Sequence, residues 1–176
     1  MLRILGKIQR LGILSEPLPA SDEPALSEIG EQLRAHIGER FGGSLAIREV
    51  DAGSCNGCEL EIVALGNPYY SIERFGVHFV ASPRHADMLL VTGPVSRHMQ
   101  DALRRTLAAT PDPKLVIAVG NCGADGGEFG CSYASCGAVS NVIPVDAVIR
   151  GCPPTPLALM QGILEAIEKH STKSEK

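Results

Sequence analysis

Leu45-Ala-Ile-Arg-Glu-Val-Asp-Ala-Gly-Ser-Cys55-Asn-Gly-Cys58 is a short, largely apolar run that leads directly into a pair of cysteines. Downstream of it, short apolar runs alternate with stretches of helical periodicity. This alternation is typical of an α/β domain built on a parallel sheet, which we therefore predict. The predicted strands are 45–50, 77–81, 88–92, 115–119 and 142–148, and the predicted helices are 60–65 with an extension toward residue 75, 97–109 and 156–170.

Length and composition indicate one folded domain. The chain has 176 residues, of which 44% are hydrophobic, and this is enough apolar material for a buried core. Its net charge of -4 gives no sign of the basic surface that polyanion binders carry. We therefore expect no nucleic acid among its partners.

The first 43 residues are predicted to form a helical extension. Residues 1–14 place apolar and basic side chains on different faces of one short helix. The apolar positions are Met1, Ile4, Leu5, Ile8 and Leu11, and the basic ones are Arg3, Lys7 and Arg10. This helix would either dock on a membrane surface or a partner, or pack against its own domain. A second helix is predicted between the cap signal at Ser21 or Asp22 and the Gly42-Gly43 stop.

We accordingly divide the chain into a docking extension at 1–43, an α/β domain at 44–170 and a polar tail at 171–176 that is expected to fray. The basic residues near the start interrupt the apolar run before it reaches the length of a signal peptide or a membrane span. We therefore expect a reducing compartment, where clustered cysteines are more often metal ligands or redox thiols than structural disulfides.

Four cysteines follow the ends of predicted strands. Cys55 and Cys58 come after the first strand, Cys122 after the fourth and Cys152 just beyond the fifth. Because the carboxyl ends of parallel strands share one edge of a sheet, these loops should converge. Four thiolates would then meet at one place.

A centre made of four cysteines suits an iron-sulfur cluster or zinc. Structural zinc sites usually use two compact Cys-x-x-Cys pairs, whereas here one pair is combined with two distant single cysteines. Glycines flank all four positions and free backbone N–H groups for an anionic cluster. The chemistry thus favours iron-sulfur, while zinc and a thioredoxin-like thiol pair stay open. Cys131 and Cys136 are expected to pack as small apolar side chains rather than act as a redox or disulfide pair.

The stretch from Val50 to Ile167 resembles the small subunit of membrane-bound, energy-converting (group 4) nickel-iron hydrogenases and the related cluster N2 subunit of respiratory complex I. The matching motifs are Gly53-Ser-Cys-Asn-Gly-Cys-Glu-Leu-Glu61, Ser82-Pro-Arg-His-Ala-Asp87, Val119-Gly-Asn-Cys-Gly123 and Gly151-Cys-Pro-Pro-Thr-Pro156. The resemblance implies a flavodoxin-like domain that carries one 4Fe-4S cluster on Cys55, Cys58, Cys122 and Cys152.

The same resemblance implies partners. They are a catalytic large subunit that holds the nickel-iron centre, a ferredoxin-like iron-sulfur subunit and membrane subunits. The chain would lie peripherally on the cytoplasmic side of the cell membrane. Complex I members have adjacent cysteines at the first ligands, whereas Asn56 and Gly57 separate them here, as in hydrogenases. A hydrogenase is therefore favoured over a quinone-linked or sulfur-reducing relative.

Three charged residues within these motifs are candidates for proton transfer or for the interface with the large subunit. Glu61, three residues after Cys58, matches a glutamate of the complex I family, and Glu59 directly follows Cys58. Each would also be stabilised simply by lying in the first turn of a helix. The position of Arg84 resembles one that lies near the subunit interface in the family. Alternatively, Arg84 is an ordinary surface arginine.

Serine substitutions test the division of the six cysteines into two groups. Cys55→Ser, Cys58→Ser, Cys122→Ser and Cys152→Ser should each abolish the cluster, because serine removes a soft thiolate ligand. Cys131→Ser and Cys136→Ser should leave it in place. Iron and acid-labile sulfide are measured per chain after anaerobic purification, and equal loss in all six variants would contradict the assignment.

Overall fold

The computed structural model describes residues 23–174. Its centre is one five-stranded sheet in which every neighbouring pair of strands is parallel. The strands are β1 (Leu45–Asp51), β2 (Val77–Phe79), β3 (Met88–Thr92), β4 (Leu115–Val119) and β5 (Ala147–Ile149), in the order β2-β1-β3-β4-β5. The helices are α1 (Glu23–Arg40), α2 (Gly57–Ala64), α3 (Gln100–Ala109), α4 (Gly120–Asp125) and α5 (Pro156–Ser174). This strand order is that of flavodoxin-like folds, so the predicted fold class is confirmed.

Helices cover both faces of the sheet, which explains why every residue of β3 and β4 is buried. On one face α1 and α5 pack together and bury Leu33, Ile37 and Ile163 against Leu90 and Ile117 of the central strands. The opposite face is covered by α3 and the segment before β5, through Leu103, Val139 and Ile143. The core therefore has two parts that the sheet separates.

Two aspartates tie neighbouring strands together at the amino edge of the sheet. The Asp87 carboxylate accepts the Ala46 amide at 2.9 Å, while the Asp87 amide donates to the Ala46 carbonyl at 2.8 Å. Asp146 makes the same two bonds with Val116, at 3.0 and 2.8 Å. Each pair of hydrogen bonds fixes the register between two adjacent strands. It thereby also fixes where these strands end at the opposite edge of the sheet.

Several predicted boundaries are wrong, for local reasons. The fifth strand begins at Ala147 and not at residue 142, because residues 139–141 form a 3-10 turn and Pro144 has no N–H to donate to a ladder. The second strand ends at Phe79, and α3 begins at Gln100, after a turn. The expected extension of α2 toward residue 75 does not form one helix, since the chain turns after Ala64 and resumes as a separate 3-10 turn at Ile72–Phe75.

The segment 1–14, for which docking was predicted, lies outside the described residues. The second predicted helix is α1, and it ends as expected just before Gly42 and Gly43, which have positive φ angles of 62° and 93°. Within residues 23–174 no helix is both long and apolar enough to span a bilayer.

A close contact between α1 and the Ile72–Phe75 turn depends on a glycine. A Cβ atom at Gly30 would lie 2.2 Å from Cζ of Phe75, whose ring is 3% exposed and has little room to move. Gly38 lies in the same helix, and a Cβ there would meet nothing within 4 Å. Both glycines therefore have helical backbone, but a side chain would collide with a neighbour only at Gly30.

Alanine at these two positions should have opposite effects on stability. Gly30→Ala should lower the free energy of unfolding by about 1–3 kcal/mol, because overpacking forces the buried ring to shift. Gly38→Ala should raise it by up to about 1 kcal/mol, because alanine is the better helix former. Thermal unfolding of the purified chain measures both, and equal effects would refute the proposed contact with Phe75.

Candidate metal centre

The three cysteine loops meet at the carboxyl edge of the sheet. Cys55 lies in the loop after β1, and Cys58 is the second residue of α2. Cys122 lies in α4, directly after β4, and Cys152 lies three residues beyond β5. The strand order reverses between β1 and β3, and open α/β sheets usually bind their ligands at such a point.

The first loop is held by the carboxylate at the end of β1. Asp51 accepts hydrogen bonds from the amides of Gly53 at 2.8 Å and Ser54 at 2.9 Å. Burial acts to raise the pKa of Asp51, but these hydrogen bonds outweigh it, and the pKa lies below its ordinary value. The loop also packs closely against the turn after β3. A Cβ atom at Gly93 would lie only 2.7 Å from the backbone nitrogen of Ser54, so there is no room for a side chain between them. Cys55 is thus positioned by a fixed turn.

The second and third loops are tied to each other. The backbone amide of Asn121 donates to the Gly151 carbonyl at 2.8 Å, and the backbone amide of Gly151 donates to the side-chain Oδ1 of Asn121 at 3.1 Å. An ion pair between Arg150 and Asp125, at 2.9 Å, joins the same two loops further out. Since Asn121 precedes Cys122 and Gly151 precedes Cys152, this reciprocal pair sets the distance between the two cysteines. The sequence motifs contained both residues, but nothing in them showed that they bind each other.

Glycines leave the space that the sulfur atoms occupy. A Cβ at Gly120 would lie 2.6 Å from Sγ of Cys58, and a Cβ at Gly127 would lie 2.8 Å from Sγ of Cys122. Gly57 would place its Cβ 3.5 Å from Sγ of Cys55 and 3.9 Å from Pro153. The β1 and β4 loops therefore approach each other through Gly120, and the β1 and β5 loops through Gly57.

Two of the four thiols, those of Cys58 and Cys122, are harder to ionise than an ordinary cysteine. Burial raises the pKa of the Cys58 thiol to about 11, and the Glu59 carboxylate and the thiols of Cys122, Cys55 and Cys152 act in the same direction. Burial also raises the pKa of Cys122, helped by Cys152 and Cys55. The four sulfurs are thus within electrostatic reach of each other, and their thiolate forms need a cationic centre for compensation.

All six cysteines are free thiols. Throughout the described part of the chain, no three His, Cys, Asp or Glu side chains are grouped so that they could hold a metal ion. The side chains as they stand therefore do not form a ligand group. It is the chemistry of four cysteines, with glycines beside the sulfurs of Cys55, Cys58 and Cys122, that suits an iron-sulfur cluster, and the assignment of Cys55, Cys58, Cys122 and Cys152 as its ligands stays a prediction.

The three predicted charged residues differ in their surroundings. Glu59 faces a pocket of about 390 Å³ beside α2, together with Glu49 and Phe79. Glu61 is half-buried, whereas Arg84 is exposed, and its amide donates to Ser82 Oγ at 3.4 Å. Their proposed roles in proton transfer or at the interface stay predictions.

Glu49 was not predicted from the sequence as a candidate site residue, because it lies in the middle of β1 and belongs to none of the motifs. Both carboxylate oxygens of Glu59 and one of Glu49 are buried, and within residues 23–174 they have no hydrogen-bond partner. Burial raises the pKa of Glu49, and the neighbouring Glu59 and Asp51 carboxylates raise it further. Apart from Arg48 and the two glutamates, the pocket is lined by Gly66 and apolar residues, among them Val63, which is 72% exposed. Leu60, also on α2, is 60% exposed.

Comparisons with known proteins agree with this architecture. The family described as "NADH ubiquinone oxidoreductase, 20 Kd subunit" matches residues 55–166. The "Probable membrane-bound hydrogenase subunit mbhJ" of Pyrococcus furiosus is 45% identical over 139 residues, which are 79% of this chain and 83% of that protein. Formate hydrogenlyase subunit 7 of Escherichia coli is 40% identical over 167 residues, or 95% of this chain and 63% of that protein. Among solved structures, a chain of the membrane-bound sulfane sulfur reductase, an archaeal respiratory membrane complex, has a TM-score of 0.61 and 37% identity, covering 72% of this chain and 71% of that one.

A matched pair of glycines tests the space around the sulfurs. Gly120 (φ +79°) and Gly43 (φ +93°) both have left-handed backbone, so alanine strains both, but only Gly120 lies against a sulfur. Gly120→Ala should lose most of the bound iron, because its methyl group occupies the position of the Cys58 side chain. Gly43→Ala should lose stability but keep its iron. The readout is iron per folded chain, and similar iron in both variants would contradict the proposed role of Gly120.

Proposed function

Because the chain belongs to the family of the NADH ubiquinone oxidoreductase 20 Kd subunit, we propose that it is the electron-transfer subunit of a membrane-bound nickel-iron hydrogenase complex. Two relatives with 40% identity or more are named as subunits of a membrane-bound hydrogenase and of formate hydrogenlyase. Separation of the first cysteines by Asn56 and Gly57 supports the hydrogenase branch.

The chain would hold one 4Fe-4S cluster on Cys55, Cys58, Cys122 and Cys152. The observation that carries this proposal is the meeting of three cysteine loops at one edge of the sheet, with glycines where side chains would obstruct the sulfurs of Cys58 and Cys122. Such a cluster supplies one-electron transfer. The chain itself would supply the position of the cluster and, through the surrounding polarity and burial, its potential.

The residues around the ligands would act by fixing the loops. Asp51 holds the turn before Cys55, and Asn121 holds the β4 loop against the β5 loop. These hydrogen bonds would keep the sulfur positions constant if a bound cluster changed its charge. A rigid site of this kind favours fast electron transfer, because little of the protein has to reorganise.

The partners would be a catalytic large subunit that carries the nickel-iron centre, a ferredoxin-like iron-sulfur subunit and membrane subunits. We place the large subunit against α2, where Leu60 and Val63 are exposed beside the buried carboxylate of Glu59. Interfaces of obligate complexes combine such apolar side chains with polar groups that the partner satisfies. Glu59, Glu61 and Arg84 would then serve at the interface or in proton transfer. The assembly would lie on the cytoplasmic side of the cell membrane.

A sulfur-reducing complex is the second candidate, because a solved chain of similar fold and 37% identity belongs to a sulfane sulfur reductase. A quinone-linked complex of the complex I type would share the same cluster subunit. The catalytic partner distinguishes these functions, since a nickel-iron hydrogenase requires nickel in it. A zinc scaffold would contain zinc and have no visible absorption.

Anaerobic purification of the chain with its native partners tests the proposal. We expect about four iron and four acid-labile sulfide per chain and a paramagnetic signal after reduction, as for a 4Fe-4S centre. Nickel should copurify in the large subunit, and the complex should oxidise or evolve hydrogen. Zinc without iron would exclude the cluster, whereas iron without nickel or hydrogen activity would exclude the hydrogenase and leave the sulfur- or quinone-linked complex.

A further inference from the structure

A small hairpin follows α4 and brings together the two cysteines outside the proposed ligand set. Both were expected from the sequence to pack as small apolar side chains, but Cys131 is exposed and only Cys136 is buried. Cys131 and Cys136 are direct partners in an antiparallel bridge. The Ser132 amide donates to the Ser135 carbonyl at 2.9 Å, whereas the Cys136 amide donates outward to Val95 at 2.7 Å. The two cysteines are therefore the non-hydrogen-bonded kind of pair, in which the Cα atoms lie about 4.5 Å apart. This separation is within the range that disulfide bonds span.

The side chains of such a pair lie on the same side of the hairpin. Sγ of Cys131 lies 3.0 Å from the carbonyl oxygen of Cys136, so the first sulfur already reaches the backbone of the second residue. A Cβ at Gly137 would lie 2.9 Å from Sγ of Cys131, which means that only glycine leaves room for the sulfur there. The two side chains thus start from one face of the hairpin, with the Cys131 sulfur already beside Cys136.

The two thiols differ in access. Cys131 is exposed, and a dissolved reagent can reach it, whereas Cys136 is 7% exposed and packs in the core. This asymmetry suits a two-step exchange in which the outer thiol reacts first and the inner one completes the bond.

We propose that Cys131 and Cys136 are a modification site at which a small-molecule disulfide, such as glutathione disulfide, reversibly forms an internal disulfide bond. The Cys131 thiolate attacks one sulfur of the small disulfide, forms a mixed disulfide and releases one small thiol. The Cys136 thiol then loses its proton, attacks the Cys131 sulfur and releases the second small thiol. Two protein thiols are oxidised to one disulfide, and one small disulfide is reduced to two thiols.

The hairpin lies beside α4, so the bond would act close to the proposed metal centre. A Cβ at Gly126, the residue after α4, would lie 3.0 Å from Cα of Gly130 and 3.2 Å from Cα of Gly137. The base of the hairpin thus packs directly on the end of the helix that carries Cys122. Cross-linking would fix this packing, but the inference itself does not depend on the proposed cluster.

Alkylation of the anaerobically purified full-length chain tests the proposal. The chain is treated with glutathione disulfide, alkylated, and analysed as the tryptic peptide 115–150, which contains Cys122, Cys131 and Cys136. We expect Cys131 and Cys136 to lose their reactivity toward the alkylating reagent together. The peptide should then be lighter by two hydrogens than its fully reduced, unalkylated form, and dithiothreitol should restore the reactivity of both cysteines. Continued alkylation of both residues, or a stable glutathione adduct on the wild-type Cys131, would overturn the proposal.

Two variants separate the steps. Cys136→Ser should trap glutathione on Cys131, because the second thiol is missing, and Cys131→Ser should leave Cys136 reduced and free of glutathione. If Cys131→Ser instead acquired glutathione on Cys136, the order of attack would be wrong. Iron content is measured in parallel, so that a missing cluster would count against the proposed function alone.

Discussion

The parallel pairing of β1, β3, β4 and β5 is the constraint on which the cysteine loops depend. Because these strands run in the same direction, their carboxyl ends meet at one edge, and loops far apart in sequence converge there. Asp87 and Asp146 set the register at the opposite edge. A slip of one residue between β4 and β5 would separate Asn121 from Gly151 and turn buried side chains toward solvent.

This edge gathers groups that destabilise an isolated chain. Burial and neighbouring groups oppose ionisation of the Cys58 and Cys122 thiols, and next to Cys58 both carboxylate oxygens of Glu59 are buried without partners among the described residues. Buried polar groups without partners are costly, and they concentrate where function requires them. Under the proposed function, a cationic cluster core would compensate the ionised thiols. A partner subunit over α2 would supply hydrogen bonds to the buried carboxylate.

Much of the fold could be predicted from the sequence because apolar runs and turn residues act locally. The five strands, α1, α3 and α5 were all predicted near their observed positions. The start of β5 was misplaced because Val142 and Ile143 are apolar in a buried turn as they would be in a strand, and periodicity does not distinguish the two. Likewise, no pattern showed that Asn121 binds Gly151, since they are far apart in the chain.

The sequence by itself determined the family, the α/β class and the order in which strands and cysteines alternate, since these follow from residue types and local spacing. Only the tertiary structure decided that Gly120 leaves room for Cys58, that Asn121 and Gly151 bind reciprocally, and that Cys131 opposes Cys136. These are contacts between loops, and loop positions depend on sheet register and packing around them. The chemistry of the residues was therefore readable in advance, whereas their mutual distances were not.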